Sequence, residues 1–139
     1  MSTRRRGRVP RYALRVIDFN NGSLFKLAQC DPGEIVPQIA GLLLDGEQVL
    51  VAAKTIRDFV VFTDKRIIAV NVQGITGKKR DFSSLPYGKI QAFSVETAGT
   101  FDLDAELELW FSGLGKVRFE FKGRFDITYL GKLIAHHVL

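Results

Sequence analysis

Apolar and polar positions alternate with a period of two over most of the chain after residue 46. Seven such runs follow one another, and Gly, Pro, Asp or Asn residues bound each of them. Short alternating runs rich in Val, Ile and Phe are typical of antiparallel strands. The runs are residues 47–57, 58–65, 66–73, 78–87, 89–98, 104–113 and 115–123. The pattern therefore predicts a meander of seven strands.

A helix is predicted ahead of these strands. Asp31 is a favoured N-cap residue, Pro32 fits the first helical position, and Glu34 places an acid in the first turn. The apolar spacing predicts a short helix over about residues 32–44, which Pro37 shortens or kinks. Its apolar positions are Ile35, Ile39, Leu42 and Leu43.

Residues 125–139 close the chain as a second amphipathic helix with one apolar stripe. The stripe consists of Ile127, Leu130, Leu133, Ile134 and Val138. Seven strands and a terminal helix together predict a mainly β fold with terminal helices, of the α+β class. The expected architecture is a small open barrel plugged by the last helix.

Length and composition favour one domain with one core. The chain has 139 residues, of which 46% are hydrophobic and 11% aromatic. No apolar run approaches the roughly 18 residues of a membrane span, and no secretory leader follows the first arginines. The single cysteine, Cys30, excludes an internal disulfide and fits a reducing compartment. We expect a cytoplasmic protein.

The excess positive charge is confined to the N-terminal segment. Residues 1–21 hold six arginines against one aspartate, a net charge of +5, whereas residues 22–139 hold 14 basic and 14 acidic groups. We therefore divide the chain into a basic arm and a neutral folded body at this point. A nucleic-acid-binding domain normally carries its basic patch on the body, so no specific nucleic-acid partner is expected.

Two basic segments are candidate contacts for an anionic membrane surface. Their residues are Arg4, Arg5, Arg6 and Arg8 in the arm and Lys78, Lys79 and Arg80 in a glycine-containing loop. Cationic side chains are attracted to anionic lipids by an electrostatic force that salt weakens. The alternative for the arm is an extension with no role in the folded body.

The loop that holds Gly74 and Gly77 resembles a phosphate-binding loop only superficially. A P-loop needs four residues between its glycines, a Ser or Thr after the lysine, and a helix that follows. Here two residues separate the glycines, Lys79 takes the Ser or Thr position, and a strand follows. The glycines are better explained as positive-φ positions in a connection between two strands.

The run from Asp102 to Trp110 alternates four acids, Asp102, Asp104, Glu106 and Glu108, with apolar residues. The acids share one strand face, and amphipathic patterning explains them better than a metal site does. Trp110 continues this polar face, which leaves two interpretations open. A five-residue loop would pair Phe111 with Val117, Glu106 with Lys122, and Trp110 with Arg118. The Trp110–Arg118 pair is then either a cation–π contact within the chain or the anchor of a protein interface.

No catalytic or metal site is predicted. His136 and His137 are adjacent on the last helix, where side chains diverge by about 100° and cannot share one metal ion. Cys30 precedes a helix start that could lower its pKa, but a structural cysteine is the preferred interpretation. The sequence indicates no cofactor.

Residues 57–113 closely resemble the bacterial pleckstrin-homology-like (PH-like) family. The characteristic phrases are "FTDKRII", "QGITGKK", "SLPYGKI" and "SVETAGTFDLDAEL", and the resemblance extends from about Gly46 to Ala135. It implies two roughly orthogonal antiparallel sheets, seven strands in all, capped by a C-terminal helix. It also implies no enzyme activity and assembly into ring-like homo-oligomers.

The sequence therefore predicts a non-enzymatic scaffold that assembles with itself and binds an unidentified protein partner. The alternative is a weak peripheral binder of anionic lipid at the inner face of the membrane, through the arm and the 74–80 loop. The neutral body favours the first function, and the charge of the arm permits the second. The short connection "TIRD" offers only Lys54 and Arg57, too few cations for tight inositol phosphate recognition.

Overall fold

The computed structural model describes residues 23–139 and contains eight strands and two helices. The strands are β1 (Ser23–Cys30), β2 (Val49–Lys54), β3 (Phe59–Thr63), β4 (Arg66–Gln73), β5 (Lys79–Pro86), β6 (Ile90–Glu96), β7 (Ala105–Phe111) and β8 (Gly115–Phe121). The helices are α1 (Pro32–Ile39) and α2 (Ile127–Val138), with short 3₁₀ turns at Ala40–Leu42 and Tyr87–Lys89. The predicted arm, residues 1–21, lies outside the described residues.

The strands form one open sheet in the order β5-β4-β3-β2-β1-β8-β7-β6. β2 to β5 are an antiparallel meander, and β6 to β8 are a second one. β1 joins the two, because it pairs antiparallel with β2 and parallel with β8. The predicted mainly β fold with a C-terminal helix is confirmed, and all seven predicted strands are present.

The predicted strand count was wrong, because β1 is an eighth strand. Its register shifts between Leu24 and Leu27, where Lys26 adopts a φ of 59°. This irregularity lets both leucines be buried although they are three residues apart. The segment therefore lacks the period of two by which the other strands were recognised.

The main core lies between the two meanders and α2. Phe62 of β3 packs edge-to-face against Phe119 of β8, with 6.0 Å between the ring centroids. The predicted stripe of α2 covers this core, and its first four residues are buried. The stripe begins just after Asp126, whose side chain accepts a hydrogen bond from the backbone N–H of Tyr129 and so caps the helix.

A second, smaller core lies between α1 and the opposite face of β2 to β4. It contains Ile35, Ile39, Ala52, Phe59, Val61, Ile68 and Val70. Because both faces of β3 are covered, all five of its residues are buried. In the described chain no helix is long and apolar enough to span a membrane.

The first helix is capped as predicted but ends earlier. The Asp31 side chain accepts a hydrogen bond from Gly33, and Glu34 accepts one from the Asp31 backbone, which completes a capping box. The α-helix stops at Ile39 and a 3₁₀ turn follows. This tighter turn carries Leu42 off the apolar stripe, so Leu42 is 44% exposed rather than buried.

A buried ion pair fixes the chain between α1 and β2. Both carboxylate oxygens of Glu47 accept hydrogen bonds from the Arg66 guanidinium, at 2.9 and 3.0 Å. The Thr63 hydroxyl and the Leu44 backbone N–H also donate to Glu47, at 2.7 and 3.0 Å. The Glu47 side chain is fully covered, so its charge depends on these four donors.

This network makes stability depend on pH. The hydrogen bond from Arg66 is the main cause that lowers the pKa of Glu47 from about 4.5 to about 2. The stabilisation that the Glu47 ion pair provides is therefore complete above the unfolded-state pKa of Glu47, and it is lost as pH falls from about 4.5 toward 2.

In Glu47→Gln we expect the contribution of this ion pair, about 3 kcal/mol, to be missing near pH 7. Urea titrations at a series of pH values should show that the wild type loses more free energy of unfolding below pH 4.5 than the variant does. Equal losses in the two proteins would contradict this assignment.

Candidate interaction surfaces

The outer face of β6 to β8 is polar, because β7 alternates strictly between its two faces. Ala105, Leu107, Leu109 and Phe111 face the core and are buried. Glu106, Glu108 and Trp110 face outward and are half-buried. Asp102 and Asp104 precede the strand and form a local turn, in which the Asp102 side chain accepts a hydrogen bond from the Asp104 N–H.

Three glutamates form a row across this outer face. Glu106 lies directly opposite Glu96 on one side and Glu120 on the other. Burial is the main cause that raises the pKa of Glu106, and the charges of Glu96, Glu120 and then Glu108 raise it further. Arg118 acts in the opposite direction, since its Nε lies 3.3 Å from Glu106 Oε1. The positive charge of Arg118 thus partly offsets the repulsion among the three glutamates of this row.

The predicted pairing of Trp110 with Arg118 is wrong. The β7–β8 connection has three residues rather than five, because Gly113 and Gly115 adopt positive φ angles of 84° and 96°. Trp110 therefore lies opposite Lys116 on β8 and Ala92 on β6. The other predicted pairs shift in the same way, so that Phe111 faces Gly115 rather than Val117, and Glu106 faces Glu120 rather than Lys122.

Arg118 contacts a residue that the sequence pattern did not single out. Its guanidinium carbon lies 4.9 Å from the ring centroid of Phe25 on β1, at a distance typical of a cation–π contact. Phe25 was missed because it belongs to the unpredicted strand. The two candidate interface residues thus lie on the same outer face, but each has a different neighbour.

The two edge strands of the open sheet, β5 and β6, differ in how well they are protected against pairing with a strand of another molecule. β5 begins with Lys79 and Arg80 and ends with Pro86, residue types that block pairing with another strand. β6 contains neither Lys nor Pro, and most of its residues from Gln91 to Glu96 are exposed. β6 is therefore the edge that is open to a partner strand.

Exposed apolar side chains occur in the connection that follows β6 and at the start of α2, the helix that packs against β6. Phe101 and Leu103 in the β6–β7 connection are 100% and 61% exposed, and Tyr129 at the start of α2 is 48% exposed. A groove of about 710 Å³ runs between this connection and the start of α2, lined by Leu103 and Phe125 among others. We call β6 with Phe101, Leu103 and Tyr129 the β6 edge surface.

The basic loop connects two strands, as predicted. Gly74 and Gly77 have φ angles of 78° and 70°, and β5 begins at Lys79, so no helix is present to bind a phosphate. Lys78, Lys79 and Arg80 are exposed. Arg80 donates a hydrogen bond to the Gln38 side chain at 2.9 Å. The arm residues Arg4, Arg5, Arg6 and Arg8 lie outside the described part of the chain.

The surroundings of His137 and Cys30 are those of residues that pack within the fold. His137 stacks on Tyr87 with 4.5 Å between ring centroids, and its Nδ1 lies 2.9 Å from the Leu133 carbonyl oxygen. Burial first, and then the charge of Glu34, raise the pKa of the Cys30 thiol, opposite to the shift considered from its place before a helix. Within residues 23–139 no group of three His, Cys, Asp or Glu side chains is placed to hold a metal ion.

Similar proteins are known both by sequence and by structure. Residues 18–138 match the family model of the bacterial PH domain. The chain is 47% identical over 119 residues to the uncharacterised protein YjqA of Bacillus subtilis (strain 168), a match that covers 84% of this chain and 95% of that protein.

Two crystal structures from Shewanella have the same fold. A DUF1696 family protein with a pleckstrin-homology domain from Shewanella loihica PV-4 matches with a TM-score of 0.72 and 42% identity, over 83% of this chain and 99% of the other. The pleckstrin homology domain from Shewanella amazonensis SB2B matches with a TM-score of 0.61 and 44% identity, over 79% and 90% of the two chains.

The glutamate row provides a test of the electrostatics of the outer face. We expect Glu96→Gln to lower the pKa of Glu106, because a like charge directly opposite it is removed. The free energy of unfolding at pH 7 should rise by a few tenths of a kcal/mol. An NMR titration of the Glu106 side chain measures the shift. Glu34→Gln is the matched control on α1, and it should leave the pKa of Glu106 unchanged. An unchanged pKa of Glu106 in Glu96→Gln would contradict the electrostatic coupling between Glu96 and Glu106.

Proposed function

The chain belongs to the bacterial PH domain family, and we propose that it acts as a non-enzymatic interaction module that assembles with copies of itself. PH-like domains are generally non-catalytic, so a role in binding fits the fold better than a role in chemistry. Because fold alone does not assign function, the proposal depends on the surfaces of this chain.

The open β6 edge is the observation that carries the proposal. A free strand edge presents unpaired backbone N–H and C=O groups, which pair readily with a strand of another molecule. On β6 this edge is accompanied by the exposed apolar side chains of Phe101, Leu103 and Tyr129. A second chain that covered the β6 edge surface would bury apolar area and complete the backbone hydrogen bonds at once.

The ring-like assembly that the family resemblance implies requires a heterologous contact rather than the pairing of β6 with β6 of a second copy. β5 is blocked by its basic residues and Pro86, so β6 would contact a patch other than β5 on the next copy. A head-to-tail contact of β6 with a different patch on the next copy closes into a ring when the rotation permits. Such an assembly would present repeated outer faces to an unidentified protein partner.

The position of Trp110 also supports a contact between copies at the β6 edge surface. It lies one strand inside the β6 edge, opposite Ala92, on the outer face and only half-buried. A tryptophan in such a place adds little to a monomer but is a frequent hot-spot residue when a partner covers it. The rival explanation is local packing, in which the aliphatic stem of Lys116 covers the indole ring within one chain.

Gel filtration with light scattering tests self-assembly. We expect the wild type to be a homo-oligomer and Ser94→Lys to be a monomer, because a lysine on an exposed edge strand opposes strand pairing. Ser94 lies opposite Glu108, which favours the new lysine in the monomer and should preserve the fold. Trp110→Ala should weaken each contact by roughly thirtyfold, or about 2 kcal/mol.

Ser112→Lys is the matched control, because Ser112 is exposed in the β7–β8 turn, away from the edge. This variant should assemble like the wild type. Thermal unfolding of each variant establishes that loss of assembly is not loss of fold. A wild type that is monomeric at high concentration, or a Ser94→Lys variant that still assembles, would contradict the proposal.

A further inference from the structure

The two meanders differ in how their outer faces are covered. α1 packs over β2 to β4 and encloses the second core there. α2 packs on the inner side of β6 to β8, where Leu130 and Ile134 join the main core. No helix of residues 23–139 therefore lies over the outer face of β6 to β8. This face is open to a further segment of the chain.

The uncovered face carries more anions than cations. Its charged side chains are Glu96, Glu106, Glu108, Glu120, Lys116 and Arg118. Both cations are already engaged. Lys116 lies 3.5 Å from Glu108, and Arg118 lies 3.3 Å from Glu106. Within residues 23–139 no ion pair engages Glu96 or Glu120.

Three of the carboxylates also border one small groove. It measures about 110 Å³ and is lined by Ser94, Glu96, Glu106 and Glu108. The outer face thus combines negative charge that lacks a partner with a polar depression between β6 and β7.

The N-terminal arm joins the fold beside this face. β1 begins at Ser23, which pairs with Arg118 of β8, and Arg118 in turn pairs with Glu108 of β7. Glu108 is therefore two strand spacings, about 10 Å, from Ser23. Arg15 lies eight residues ahead of Ser23, and an extended chain of that length spans up to about 26 Å. The arginines of the arm can thus reach the carboxylates of the face.

We propose that the arginine arm, residues 1–21, docks across the acidic outer face of β6 to β8 of its own chain. The arm holds six arginines against one aspartate. A guanidinium group binds a carboxylate through two parallel hydrogen bonds, which suits the half-buried glutamates of this face. A tethered segment meets its own face at an effective concentration of about millimolar, which favours docking within one chain.

The arrangement of the carboxylates favours a segment with several cations over a metal ion. The four glutamates are spread over three strands, whereas a metal ion needs ligands that converge on one point. In the described part of the chain no group of three His, Cys, Asp or Glu side chains is placed to hold one. The family match begins at residue 18, so all six arginines precede it. The contact joins the shared domain to a segment outside it.

A docked arm competes with any basic segment of a protein partner for the outer face. This consequence rests on the proposed function, in which an assembly presents these faces to a partner. The docking itself requires neither assembly nor a partner, so the two can fail separately.

Limited trypsin digestion of the full-length chain tests the docking, because trypsin cleaves after arginine and a bound segment resists cleavage. Mass spectrometry follows the rates of cleavage after Arg8, Arg11 and Arg15 at low salt. In Glu108→Gln/Glu120→Gln we expect these rates to rise about fivefold, because two carboxylate contacts are lost. The difference from the wild type should vanish at about 1 M salt, where the Debye length is about 3 Å.

Glu34→Gln/Asp45→Asn is the matched control. Like the test variant, it removes one acid that pairs with a lysine and one acid that no ion pair engages within residues 23–139. Its arm should be cleaved at the wild-type rate. Equal rates in the wild type and Glu108→Gln/Glu120→Gln, or an equal acceleration in the control, would overturn the proposal.

A variant of the arm tests the same contact without any change in the folded body. Arg4→Ser/Arg5→Ser/Arg6→Ser removes half of the arginines, so cleavage after Arg11 and Arg15 should also become faster. Unchanged cleavage at these two sites would count against docking through the arginines.

Mixed refolding distinguishes the face of the same chain from that of a neighbouring copy. Isotope-labelled wild type is refolded from urea with an excess of unlabelled Glu108→Gln/Glu120→Gln and then digested. Docking within one chain keeps the labelled arm protected in the mixture. Loss of its protection would show that the arm binds the next copy and would refute the proposal.

Discussion

The position of β1 in the sheet is the constraint on which the rest of the structure depends. One edge of this strand pairs antiparallel with β2 and the other pairs parallel with β8, so β1 unites two meanders. Leu24 and Leu27 of the same strand enter the core that both meanders share. Because β1 occupies the middle of the sheet, it covers the inner edges of β2 and β8, and β5 and β6 remain as the edges of the sheet. The open edge that we assign to self-assembly is thus the outer strand of the second meander, which β1 leaves uncovered.

The meander order also determines where the exposed loops lie. The β2–β3 and β4–β5 connections emerge at the same end of their antiparallel meander, while β3 and β4 are joined at the other end. Arg57 donates a hydrogen bond to the Gly74 carbonyl oxygen, so Ile56 and Ile75 lie on two joined loops although 19 positions separate them in the sequence. The glutamate row lies on the other meander. A body with no net charge consequently carries two regions of opposite sign.

The sequence predicts strands, helices and turns correctly where neighbouring residues alone determine them. The seven strands show the period of two, Asp31 and Pro32 mark a helix start, and Gly74 and Gly77 occupy positive-φ positions in a strand connection. β1 escapes prediction because its irregularity at Lys26 breaks the period.

The surfaces were harder to predict, because they depend on contacts between distant segments. The turn sequence permits both a three- and a five-residue connection of β7 and β8, and the five-residue connection assumed from the sequence paired Trp110 with the wrong residue. The exposure of Ile56, Ile75 and Phe101 depends on which elements cover each loop, and that is settled only by the assembled sheet. The exposed cations Lys78, Lys79 and Arg80 could be found from the sequence, but the exposed isoleucines near them could not.

Native-state hydrogen exchange of the full-length chain tests most directly whether β1 makes the two meanders one cooperative unit. The hydrogen-bonded amides of β1, β3 and β8 should exchange with the same opening free energy, equal to that of global unfolding. A lower opening free energy for β1 and for one meander, with the other meander still protected, would show that the halves unfold separately and would contradict this account.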